Sequence, residues 1–178
     1  AVVADDESPY SLAGYLDMLP AMIQRLPELT EAVRGGGGVP FPDFGERAVL
    51  GVERANSPGT RILLARRWLA TMPDVVEKLE RGARVADVGC GTGTAALTMG
   101  EAYPNSEIVG VDVDLRSIER ANDRLRASNL GNVTFVAGGA ESLHGPFDLI
   151  TAFDVVHDIA HPLEALKQIR AALADDGV

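Results

Sequence analysis

From Arg84 onward the sequence alternates short apolar runs with amphipathic stretches, and this alternation restricts the fold more than any other feature. Arg84–Val88, Glu107–Val111, Val133–Ala137 and Phe147–Phe153 read as strands. Between the first two, Thr94–Ala102 suits a helix stopped before Pro104. Asp114 caps a second helix, with Leu115, Ile118 and Leu125 on one face and Arg116, Glu119, Arg120, Asp123 and Arg124 on the other, ended by Gly131. Pro162 opens a third through Leu163, Leu166, Ile169 and Leu173. Strands that alternate with helices form a parallel sheet covered on both faces, so an α/β, doubly wound, mostly parallel architecture is expected.

Residues 1–83 lack that rhythm and read as a helical cap and linker ahead of an α/β domain over 84–178. Leu12, Leu16 and Leu19 recur at helical spacing, and Pro20 and Pro27 divide the adjoining residues into short helices ending near Arg34. Gly35–Gly38 is a break, and Val39-Pro40-Phe41-Pro42 is held extended by its prolines. Asp43 is placed to cap a helix over 44–55. Ser57-Pro58 restarts another carrying Ile62, Leu63, Trp68 and Leu69, and Met72-Pro73-Asp74 opens a last one ending near Gly82.

Composition narrows the function. Sixteen Lys and Arg against 26 Asp and Glu give a net charge of −10, which argues against a surface that neutralises nucleic-acid phosphates. No apolar run approaches the ~20 residues that span a bilayer, and the N-terminus has neither the basic start nor the apolar stretch of a secretory signal. The single cysteine, Cys90, permits no intramolecular disulfide, consistent with the cytoplasm. His144, His157 and His161 are scattered without ligand spacing, so no metal site is expected. The chain opens without Met and stops at the turn signal Asp175-Asp176-Gly177-Val178, which makes a piece of a longer protein the expectation.

The densest chemical signal is Asp87-Val88-Gly89-Cys90-Gly91-Thr92-Gly93: a strand ending in a carboxylate, a turn of alternating glycines, then a helix. Such a turn is either a tight connection needing glycine for packing, or a place where backbone approaches a ligand. Dinucleotide-binding sheets space their glycines G-x-G-x-x-G, whereas here the third falls at 93 and Thr94 stands where that pattern wants glycine. The Asp87 carboxylate would also repel a pyrophosphate; a cationic or zwitterionic ligand with a ribose would tolerate it. Asp112, nineteen residues past Gly93, closes the next strand. It either caps the helix after that strand or accepts ribose hydroxyls, each such bond contributing roughly 1.5–3 kcal/mol. Asp114 holds the better capping position, which favours the ribose.

Together, Asp87-Val-Gly89-Cys-Gly91-Thr-Gly93 and Val109-Gly-Val-Asp112 resemble the first motif and the acidic second-strand end of class I, Rossmann-like S-adenosylmethionine-dependent methyltransferases. The likeness covers roughly residues 84–178 and implies a core cut short at its C-terminal end. By that resemblance Gly89, Gly91 and Gly93 cradle the methionine end of S-adenosylmethionine near Asp87, and Asp112 holds the ribose. Where the family often reads Gly-Asp-Ala after the third strand, this chain has Gly138-Gly139-Ala140-Glu141. The adenine is then left to the backbone of Ala140 or the side chain of Glu141.

Phe153-Asp154-Val155-Val156-His157-Asp158 comes after the fourth strand and resembles the F-D-x-x-H-D stretch of a bacterial small-molecule subgroup that carries an N-terminal winged-helix and dimerisation region. The resemblance implies Asp154 among the cofactor contacts, a small-molecule acceptor, and a homodimer through the N-terminal region. The segment lacks the N-P-P-Y type motif of nucleic-acid amino methyltransferases, in line with the acidic charge, and neither a nucleic-acid nor a membrane partner is expected. His157 is the candidate base, since an imidazole accepts a proton near neutral pH; the alternative is a turn cap or a packing role with Asp158. Trp68 is expected in the core, and Phe41 either there or against a planar substrate. The reading is thus methyl transfer with S-adenosylhomocysteine as product, oxygen before nitrogen. A catalytically silent S-adenosylmethionine-binding module is the alternative.

Overall fold

The computed structural model describes residues 2–178. By packing the chain divides into two compact units, Ala1–Ile62 and Leu63–Val178.

The first unit is helical. Helix α1 spans Ala13–Gln24, α2 Leu26–Gly35 and α3 Glu46–Leu63. Pro20 was expected to divide α1, but it lies inside it, and the break comes at Arg25 with Pro27 in the first turn of α2. The restart at Ser57-Pro58 also gives way. Helix α3 runs through Pro58, which is buried together with Ser57, so packing outweighs the backbone hydrogen bond the ring removes. Asp43 belongs to a short 3₁₀ turn, Phe41–Phe44, and caps no helix over 44–55. Helices α1 and α3 meet backbone to backbone: a Cβ on Gly14 would lie 2.1 Å from the Ala55 nitrogen. Leu12, Leu16 and Leu19 remain largely exposed. Among the described residues this unit contains no strand, so no winged helix is formed here.

In the second unit the chain passes from α3 through a π-turn, Leu64–Trp68, and a 3₁₀ turn, Leu69–Thr71, into α4, Pro73–Arg81. The wider π-turn sets Leu64 and Leu69 inward and leaves Trp68 40% exposed, not in the core. Four parallel strands come next, β1 Arg84–Val88, β2 Glu107–Asp112, β3 Val133–Ala137 and β4 Leu149–Thr151, ordered β3-β2-β1-β4. They are linked by α5 Thr94–Ala102 and α6 Leu115–Ala127, and α7 Pro162–Ala172 comes after β4.

Period-two alternation sorts the strands into two faces. Val85, Ile108, Val133 and Leu149 pack with α4, α5 and the Leu64–Leu69 turns; Val88 and Val111 pack with Ala165 of α7. Strand β4 is shorter than the expected 147–153. The Phe147 backbone bonds instead to Ala172 and Ala174, and pairing with β1 ends at Asp87 opposite Thr151, one residue before β1 itself stops at Val88. Helix α6 ends at Ala127, four residues before Gly131, because the extended backbone of Ser128 closes it with its N–H on the Arg124 and Leu125 carbonyls. At β1 the strand order reverses. The crevice outside the carboxyl ends of strands at such a point is where open α/β sheets bind ligands.

Candidate cofactor site

The glycine turn leaves β1 at that reversal. Gly89, Gly91 and Gly93 have φ of +68°, +53° and +83°, values rarely adopted by other residues. Their surroundings differ. A Cβ on Gly89 would lie 2.3 Å from a Val155 methyl, and one on Gly93 2.5 Å from the Phe135 ring. At Gly91 it would meet nothing within 4 Å. Two of the glycines thus make room for the protein's own side chains, and Gly91 faces open space.

Asp112 is held beside this turn. Its Oδ2 accepts the Gly91 N–H at 2.8 Å and its Oδ1 the Asp114 N–H at 2.9 Å. The helix cap is Asp114, whose Oδ2 accepts from the Ser117 N–H and hydroxyl. Burial raises the Asp112 carboxyl above its ordinary range, against the two backbone bonds that lower it.

Asp87 lies beneath the turn, 2% exposed, and its Oδ1 accepts from the Thr151 hydroxyl of β4 at 2.7 Å. Burial pushes it up to about 7, with the nearby Asp112 charge adding to the rise and Thr151 opposing it. Between about pH 4 and 7 the folded chain therefore holds a proton the unfolded chain has lost, so stability falls as pH rises and levels off above 7. A shift of this size corresponds to roughly 4 kcal/mol. Asp87→Asn removes that dependence at the cost of an amide group to satisfy. Its melting temperature is expected below that of the unmodified chain at pH 5 and above it at pH 8. A constant difference at both pH values, in thermal melts, contradicts an ionising Asp87. Cys90 is buried too, and burial with the neighbouring Asp87 and Asp112 charges raises its thiol, so it is no nucleophile.

After β3, Ala140 is buried at the start of a 3₁₀ turn, and the exposed Glu141 folds back so that its Oε1 accepts the Gly139 N–H at 2.8 Å. A Cβ on Gly139 would be 2.5 Å from Glu141 Oε2: the glutamate carboxylate occupies the space of a side chain at 139. After β4, Asp154 takes a left-handed φ of +53°, tolerable for aspartate, ahead of the Val155 that packs on Gly89. His157 stands on the next 3₁₀ turn, 63% exposed, with Nδ1 3.8 Å from Asp154 and Nε2 3.5 Å from Asp158. Trp68 lies tilted on Phe153, ring centroids 5.9 Å apart. Phe41 stays in the first unit, paired with Phe44.

Sequence reading missed three participants: Thr151, Val155 and Arg124. Each reaches its partner only through the fold, across 64, 66 and about 30 residues respectively, with no local spacing to reveal it.

A parallel sheet with its order reversed at β1, a left-handed glycine turn and an acidic end to the neighbouring strand defines the Rossmann-like core of class I S-adenosylmethionine-dependent methyltransferases. The chain belongs to the methyltransferase-domain family, which matches residues 86–178. It is 28% identical over 132 residues to a demethylmenaquinone methyltransferase of Geobacillus kaustophilus, 71% of this chain and 55% of that protein. The structure of PKMT2 from Rickettsia typhi in complex with AdoHcy is 30% identical at a TM-score of 0.51, covering 56% of this chain and 20% of that one. A Nostoc punctiforme crystal structure assigned to the O-methyltransferases matches 96% of this chain and 53% of its own at a TM-score of 0.70; at 20% identity it shows the fold. The chain spans from about a third to just over half of the length of the curated relatives it matches.

Proposed function

We propose that the protein transfers a methyl group from S-adenosylmethionine to a small-molecule acceptor, at oxygen in preference to nitrogen. The observation that carries this reading is the Asp112 carboxylate, fixed beside the glycine turn by the Gly91 and Asp114 N–H groups. A carboxylate oxygen takes more than one hydrogen bond, so each keeps capacity for a ribose hydroxyl. The open side of Gly91 supports the fit, giving the methionine end room against bare backbone. Glu141 takes the adenine amino group, its carboxylate standing where a residue-139 side chain would be. Asp87, once ionised above about pH 7, supplies negative charge beneath the sulfonium end, and Gly89, Gly93, Ala140 and Asp154 shape the walls.

The cofactor supplies an electrophilic methyl on a sulfonium, displaced in line. What the chain adds is alignment, exclusion of water and removal of an acceptor proton. His157 takes that proton, and the Asp154 and Asp158 carboxylates, 3.8 and 3.5 Å from its ring nitrogens, favour the imidazolium that results. Trp68 and Phe153 offer apolar surface to the acceptor. His157→Ala is expected to lower turnover by about 10²–10⁴-fold and leave S-adenosylhomocysteine affinity unchanged. Full turnover in that variant removes the base. A homodimer through the N-terminal region belongs to the same proposal, supported by the exposed Leu12, Leu16, Leu19 and Ile23 and tested by sedimentation.

Calorimetric titration tests the cofactor reading. S-adenosylmethionine and S-adenosylhomocysteine should bind, with no comparable response to a nicotinamide dinucleotide. The reverse preference defeats it.

A further inference from the structure

The Arg124 guanidinium, on the face of α6 that the sequence assigns to solvent, turns back onto the glycine turn. Its Nη1 donates to the Thr92 carbonyl at 3.1 Å, the Thr92 hydroxyl at 3.0 Å and the Thr94 hydroxyl at 2.9 Å. One nitrogen with two N–H groups serves three acceptors, and they bracket Gly93, the left-handed residue at which the turn becomes α5. Asp112, which holds the Gly91 N–H, belongs to the strand just before α6. The single stretch β2–α6 therefore grips the turn at two points, its strand side through a carboxylate and its helix side through a guanidinium.

Helix stability gives no reason for this placement. The N-terminus of a helix is its positive end, where a cation is unfavourable. A cation there does raise the positive potential around the turn's N–H groups, which suits a carboxylate. The glycines also leave the segment conformationally loose, and an ordered turn spares a ligand the cost of ordering it.

We propose that Arg124 is a positioning residue: it sets the 91–94 backbone that receives the amino-acid end of the cofactor. This rests on the cofactor reading above. The consequence is selective by ligand fragment. S-adenosylhomocysteine carries the amino-acid carboxylate and ammonium, whereas 5′-methylthioadenosine has the same nucleoside without them.

The experiment is calorimetric titration of the full chain and its variants with both compounds. Arg124→Ala should weaken S-adenosylhomocysteine by about tenfold or more and 5′-methylthioadenosine by less than about twofold. Arg124→Lys, which keeps the charge and a donor, should recover part of the loss. Equal weakening of both ligands assigns Arg124 to general stability and overturns the proposal, as does an unchanged S-adenosylhomocysteine constant. Thr94→Val, which deletes one acceptor, should show the same selectivity at smaller size and decides the matter if Arg124→Ala does not fold. An unmodified chain that takes up neither compound overturns the cofactor reading itself, an outcome separate from losing the positioning role alone.

Discussion

Asp112→Ala is expected to weaken S-adenosylhomocysteine binding by at least about tenfold, or 1.4 kcal/mol. Two losses combine. The ribose hydroxyls lose a charged acceptor, each bond contributing roughly 1.5–3 kcal/mol. The Gly91 and Asp114 N–H groups lose their partner as well, so the turn and the start of α6 loosen together. Asp112→Asn separates these parts, since its amide oxygen still accepts while the charge is gone, and should fall between the two. Titration well below the melting temperature of each variant makes the comparison. An unchanged constant in Asp112→Ala removes the ribose assignment.

A large stability effect is expected at Gly93. Its φ of +83° costs an L-residue about 1–2 kcal/mol. A Cβ there would lie 2.5 Å from Phe135 Cζ and 3.1 Å from the Ala121 methyl, an overpacking of about 1–3 kcal/mol. Gly93→Ala should thus cost about 2–5 kcal/mol and lower the melting temperature by roughly 5–15 °C. Trimming the ring in Gly93→Ala/Phe135→Leu should return the steric part alone, because the dihedral cost stays. A melting temperature within about 2 °C of the unmodified chain would contradict this packing of Phe135 on the turn.

The two glycines of most chemical interest show what could be read from the chain and what could not. Glycine at 91 and glycine at 93 look alike in sequence, since both mark backbone that other residues cannot adopt. Only the fold distinguishes open space beside Gly91 from the Phe135 ring against Gly93. The strands were legible because buried parallel strands are short continuous apolar runs bounded by turns, and β1 and β3 fall where those runs do. The edge strand β4 was overextended because pairing, not hydrophobicity, decides where a strand ends. Helix α3 was cut at Pro58 by a local rule that burial overrides.

The carboxylates divide in the same way. Asp114 as helix cap comes from local chemistry, and its cap geometry is observed. The pairing of Asp87 with Thr151 depends on β1 lying beside β4 in register, which no periodicity encodes. Arg124 is the hardest case. On a helical wheel it belongs with Arg116, Glu119 and Arg120, and a charged face ordinarily means water.

The most direct measurement is a crystal structure of the full chain with S-adenosylhomocysteine bound. Sugar hydroxyls are expected within about 3 Å of the carboxyl oxygens of residue 112, with the sulfur end lying along the bare backbone at residue 91. Density for the compound elsewhere, with Val155 and the bend unmoved and that carboxyl group bonded only to its two amides, would leave the domain without its methyl donor.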